Sequence, residues 1–122
     1  MKILFFSLLF FSSSTFAWEI TLDRTNHSGF RLVDILKQEK GEYAFNGKKL
    51  GKTLPAEVLN SWKEIEKGPA KSSRVLFCAA GNFSFLKTDG HKKTHREGCT
   101  EGEAYGRMIK NIDDIRTYAK GL

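Results

Sequence analysis

Apolar and polar positions in this chain follow two spacings. In Trp18-Glu19-Ile20-Thr21-Leu22-Asp23 every second residue is apolar, which predicts a strand with Trp18, Ile20 and Leu22 on its buried face. After the polar stretch Arg24 to Gly29, the spacing changes. Leu32, Val33, Ile35 and Leu36 fall on one side at helical intervals, so Phe30 to Glu39 reads as a helix capped by Ser28 and ended by Gly41. Glu42 to Phe45 is a short strand candidate. Asn46-Gly47 suits a two-residue hairpin turn, whose central positions both need positive φ. Lys48-Lys49-Leu50 would return as an edge strand, its lysines discouraging further pairing. Pro55 opens the clearest helix, where its missing N–H has no helical partner to lose. Val58, Leu59, Trp62 and Ile65 form its buried stripe, Glu57, Asn60, Lys63, Glu64 and Lys67 its wet side, and Gly68-Pro69 its stop.

The second half is organised around Arg74 to Cys99. Val75 to Ala80 is an apolar run long enough for a buried strand, followed by a turn signal at Gly81-Asn82. Phe83 to Leu86 resumes strand-like residues until Asp89-Gly90 breaks them. Beyond Cys99 lies a glycine-rich patch, Gly102 to Gly106, and Ala104 to Ile109 reads as one more strand. A short last helix is expected with Asn111 as its cap. Asp113 and Asp114 suit the positive end of its dipole, and Ile112, Ile115, Tyr118 and Ala119 would turn inward. Together these elements predict a small single α+β domain over 18–122, with a mostly antiparallel sheet and about three helices packed on one face. No internal repeat or linker divides it.

The first residues supply an address. Met1-Lys2 is a positive start, Ile3 to Phe11 is apolar except for Ser7, and Ser12 to Ala17 is small and polar apart from Phe16. This is the three-part pattern of a signal peptide over 1–17, with cleavage expected after Ala17. The apolar run is far shorter than the roughly 20 residues of a membrane-spanning helix, and no transmembrane segment is expected in the mature chain. The product is therefore expected to be exported, periplasmic or secreted. In an oxidising compartment the only two cysteines, Cys78 and Cys99, form a disulfide.

The 122-residue chain carries a formal charge of +6, and losing Lys2 leaves +5. Positive charge favours acidic partners: an acidic protein, an anionic envelope polymer or nucleic acid. The cations concentrate in Lys87, His91, Lys92, Lys93, His95 and Arg96, which read as an anion- or partner-binding loop opposed only by Asp89. A solvated hairpin tip has the same composition. His91-x3-His95-x3-Cys99 has ligand-type spacing if helical, but Asp89-Gly90 and Gly98 frame it as a loop and the disulfide consumes Cys99, so no metal is assigned. His27, His91 and His95 invite comparison with secreted ribonucleases, where two histidines and a lysine around a phosphate suffice for acid–base catalysis. No spacing here is diagnostic of it, and nucleophile-elbow, zinc-protease and phosphate-loop motifs are missing. Phe83, Phe85 and Tyr105 can stack on bases if exposed, although alternating phenylalanines usually lie in a core. Ser28 to Leu36 resembles a short segment of exported molybdopterin-binding oxidoreductase domains. No cofactor motif stands beside it, and no function or cofactor is carried across.

The expected function is that of a small exported, non-enzymatic binding protein. It would be an inhibitor or immunity-type partner or an envelope-binding module, using its basic loop. The alternative is a small secreted nuclease-like hydrolase with His91 or His95 as general acid or base.

Overall fold

The centre of the architecture is β1 (Trp18–Asn26), which has a partner on each side. The computed structural model describes residues 17–70 and 77–122; the signal peptide expectation, Ala17 apart, lies outside them, as do Val75 and Leu76. After β1 come β2 (Arg31–Glu39), β3 (Glu42–Phe45), β4 (Lys48–Gly51), α1 (Ala56–Lys67), β5 (Gly81–Asp89), β6 (Lys92–Cys99) and α2 (Glu103–Lys120). The six strands form one sheet in the order β4-β3-β2-β1-β5-β6. All its pairings are antiparallel. The domain is α+β, with two helices among the described residues rather than about three.

The first correction is β2, where a helix was expected. Its residues pair with β1 continuously from Trp18↔Gln38 to Thr25↔Arg31. The reversal before it is a turn, not a helix cap. The Asn26 side-chain oxygen accepts from the Ser28 and Phe30 amides at 3.0 and 2.9 Å, and Gly29 takes φ 84°. The misleading spacing arises because β2 is apolar on both faces. Leu36 faces the helices and is fully buried, whereas Val33 and Ile35 lie on the opposite face, about one-third exposed.

The glycine patch yields the second correction. Ala104 to Ile109 is the start of α2, and Asn111 is internal to it. The 18-residue helix buries Met108, Ile112, Ile115 and Ala119, a four-three-four spacing that keeps one face on the sheet. A third concerns Val75 to Ala80. Its described part, 77–80, is not strand, and Phe77 is 86% exposed. The strand begins at Gly81, where a turn was expected. A Cβ there would meet the Thr25 carbonyl oxygen at 2.4 Å, so glycine lets β5 lie against the end of β1.

Other expectations hold. Trp18, Ile20 and Leu22 are buried, Asn46 and Gly47 both have positive φ, and β4 is an edge strand. Both helices pack on one face, where Val58, Trp62 and Ile65 of α1 and the α2 stripe meet Ile20, Leu22, Leu36, Phe45, Phe83 and Phe85. Trp62 sits edge-on to Tyr43 at 5.0 Å and tilted on Trp18 at 5.8 Å. Each fully buried Leu, Ile or Phe contributes roughly 1.5–3 kcal/mol. Cys78 and Cys99 are disulfide-bonded with Cα atoms 5.1 Å apart, tying the approach to β5 to the end of β6.

Candidate functional site

The basic segment is a hairpin rather than a loop. Lys87 belongs to β5, Gly90-His91 is the whole connection, and Lys92 to Arg96 lie in β6. The strands pair without a register break from Asp89↔Lys92 to Asn82↔Cys99. The Thr100 amide donates to the Gly81 carbonyl at 3.0 Å, which sets the phase of the ladder. Antiparallel partners alternate between bonded and non-bonded pairs. Lys92, Thr94 and Arg96 therefore bond to β5 through their backbones, while the N–H and C=O groups of Lys93, His95 and Glu97 face outward. Because β6 ends the sheet, those groups have no neighbouring strand among the described residues.

Side chains alternate across the same strand. Lys92, Thr94 and Arg96 share the helix-side face with their partners Asp89, Lys87 and Phe85; Lys93, His95 and Glu97 share the open face. The six candidate residues are thus split. Lys87 is committed to the fold: its amine lies 3.7 Å from the Glu66 carboxylate and 5.4 Å over the Trp18 ring. Arg96 donates to the His95 carbonyl at 2.9 Å. Ser84 Oγ and His95 Nε2 are 2.9 Å apart on the open face. Lys92 and Lys93 are exposed and His91 occupies the exposed turn.

The histidines do not converge. At about 3.3 Å per residue, His91 and His95 are separated by roughly 13 Å along the hairpin, and His27, beyond the far end of β1, lies roughly 20 Å along the sheet from the level of His95 and roughly 30 Å or more from that of His91. His27 instead donates from Nε2 to the Cys78 carbonyl at 2.8 Å and stacks with Phe77 at 6.1 Å. Cys99 is bonded to Cys78, so the His91/His95/Cys99 series does not form a ligand set. Among the described residues, no group of at least three His, Cys, Asp or Glu side chains is placed to hold a metal. Phe83 and Phe85 are core, and Phe83 stacks on Tyr105 at 5.5 Å.

The other flank holds a charged cluster that the sequence reading overlooked. Asp34, 1% exposed, accepts hydrogen bonds from Arg24, from Asn46 Nδ2 at 2.9 Å and from Arg116 Nη2 at 2.6 Å. Arg116 also lies 5.6 Å over Phe45. Burial by itself pushes the Asp34 carboxyl up. The hydrogen bonds from Arg116 and Asn46 and the charges of Arg24 and Arg116 outweigh it, holding the group below the usual carboxylate value. One signal was present: Arg24 continues the buried phase of Trp18, Ile20 and Leu22. Nearby, Lys48 donates to the Ala119 carbonyl at 2.6 Å.

Two further features frame the site. Glu101 accepts from the Ala79 and Ala80 amides at 2.7 and 3.2 Å, and those bonds lower its carboxyl pKa. A groove of about 660 Å³ lies between the helices, lined among others by Glu57, Ser61, Glu64, Arg107, Lys110 and Asp114. Its mixed charges select no one sign of ligand. Among the described residues, no helix is long and apolar enough to cross a membrane. Compared with known proteins, the chain matches no family model, no curated protein and no solved structure.

Proposed function

We propose that this is a small exported binding protein without catalytic activity, which engages an acidic partner through the β5–β6 hairpin. Such a partner is a secreted or periplasmic enzyme, in an inhibitor or immunity-type relation, or an anionic envelope polymer. The observation that carries the reading is the contrast in how cations are used. Arg24 is paired with Asp34, and Arg116 with Asp34 and Asp113, while Lys92 and Lys93 stand exposed at the hairpin with no ion pair among the described residues. Unneutralised charge collected on one projecting element attracts the opposite charge from solution.

The disulfide and the apolar leader support export. The separation of His27, His91 and His95 favours binding over the hydrolase alternative, which needs two proton-transfer groups at one cleft. The test is chromatography on an anionic polymer such as polyglutamate. Replacing Lys92, Lys93 and Arg96 together with alanine should weaken retention and flatten its dependence on salt, because fewer counterions are displaced. Retention and salt slope equal to those of the parent would remove the reading.

A further inference from the structure

Resting on that proposal, we infer how the partner is held: an extended acidic segment adds to the free side of β6 as a seventh strand. Three observations carry this.

The first is the outward phase of the backbone. Lys93, His95 and Glu97 present alternate N–H and C=O groups to solvent along an eight-residue strand with no register shift. An incoming strand needs that periodic row of donors and acceptors. The second is the difference between the two sheet edges. β4 is four residues long, its pairing shifts at Tyr43/Ala44, and Lys48 is tied to the Ala119 carbonyl. That edge is blunted, whereas β6 is long and regular.

The third is charge, which selects the occupant. Lys92 and Arg96 flank the edge on the helix side; on the open side Lys93 and one carboxylate, Glu97, flank His95, so the cations outnumber the acid three to one. An added strand alternates its side chains between the same two faces, so carboxylates on either face meet a cation. A second copy of this chain, paired in the register centred on His95, would match Lys93 with Glu97, but each strand carries three cations, Lys92, Lys93 and Arg96, against that one carboxylate, and the surplus of like charge on both opposes pairing. In the unbound protein the Arg96 guanidinium covers the His95 carbonyl. The amide of an entering strand would replace it there and release the guanidinium to a carboxylate, so the edge stays capped until an acidic strand arrives.

The test uses the disulfide-intact protein and two peptides of the length of β6, eight residues of alternating Glu and Thr with blocked ends. One has ordinary amides; the other is methylated at two adjacent central amides, which removes a donor from each of its edges. The ordinary peptide should bind and slow hydrogen exchange at the Lys93, His95 and Glu97 amides by about tenfold or more, as expected for newly bonded amides. The methylated peptide should bind about tenfold or more weaker. Equal binding of the two peptides without slowed exchange would mean that side-chain charge alone holds the acid. The strand-addition inference would then fall while the basic-hairpin reading stood. Failure of both peptides to bind also overturns the inference, and the polyglutamate retention test then shows separately whether the underlying reading falls with it.

Discussion

The two flanks of the sheet carry positive charge to opposite ends. On the β2–β3–β4 flank three cations are built into the fold, Arg24 and Arg116 at the buried carboxylate of Asp34 and Lys48 at the end of α2, while Lys40, Lys49 and Lys52 are exposed around its turns. On the β5–β6 flank Lys92 and Lys93 extend into solvent. The difference follows from position within the alternating pattern. Arg24 sits on the buried phase of β1 and must be matched, because an unpaired charge taken out of water costs several kcal/mol. Lys92 and Lys93 sit at the end of the sheet beside a two-residue turn, where water solvates them on either face. A count of charges therefore says little about what each one does; the phase of the strand and its place in the sheet decide.

The strongest way to break this contrast is at Asp34. Asp34→Ala leaves Arg24 and Arg116 facing each other without their shared counterion, and unfolding should become easier by about 3–5 kcal/mol, read as a lower urea midpoint. Its pH dependence has a definite sign. The Asp34 carboxyl is held below its unfolded value, so its contribution is fully present above the unfolded pKa of about 3.9. It is lost as pH falls through the lower folded value. The parent should lose stability along that acid limb, and Asp34→Asn should flatten it. A midpoint that barely moves in Asp34→Ala would show that the buried cluster and the exposed lysines are energetically alike.

What could be read from the chain follows the same logic of phase. Trp18 to Leu22 was legible because one face is apolar and the other polar. Asn46-Gly47 was legible because its geometry suits few other dipeptides, and α1 because a single stripe, Val58, Trp62 and Ile65, runs along it. β2 was not, because Val33 and Ile35 occupy its open face while Asp34 occupies its buried one. That inverts the usual pattern and imitates a helical stripe. α2 was obscured by Gly102, which stands at its N-cap, and by Gly106 inside it, whose poor intrinsic helix propensity is overridden by packing of Met108 and Ile112 against the sheet. At the candidate site the residue types were legible but not their arrangement. Nothing in Lys87 to Arg96 announces that alternation sends Lys93 and Arg96 to opposite faces, or that Lys87 is taken up by Glu66 and Trp18.

A smaller effect sharpens the comparison by marking where β6 itself becomes part of the fold. Gly98 pairs with Phe83 on the helix side, and a Cβ there would lie 2.6 Å from the Phe83 ring. That ring is buried and stacked on Tyr105, so it has little room to yield. Gly98→Ala should destabilise by about 1–3 kcal/mol through overpacking, measured by thermal or urea unfolding. The polyglutamate retention of the folded protein should stay as it was, since no charge is removed. A stable variant with reduced retention would reverse the roles assigned to the two parts of the strand.

The smallest expected effect is on stability when Lys92 and Lys93 are replaced by alanine. Neither amine has an ion pair among the described residues, so no contact is lost and no buried group is left unmatched. Removing two like charges from a chain of net charge +6 relieves some self-repulsion, which pushes weakly toward greater stability. Alanine is a poorer strand former than β-branched residues and close to lysine in that respect, so the backbone term is small. The net shift should stay within about 0.5 kcal/mol while retention on the anionic polymer drops. The pairing of those two results is the informative part. A large fall in stability would make these lysines structural, like Arg24, and the functional distinction between the flanks would have no physical basis.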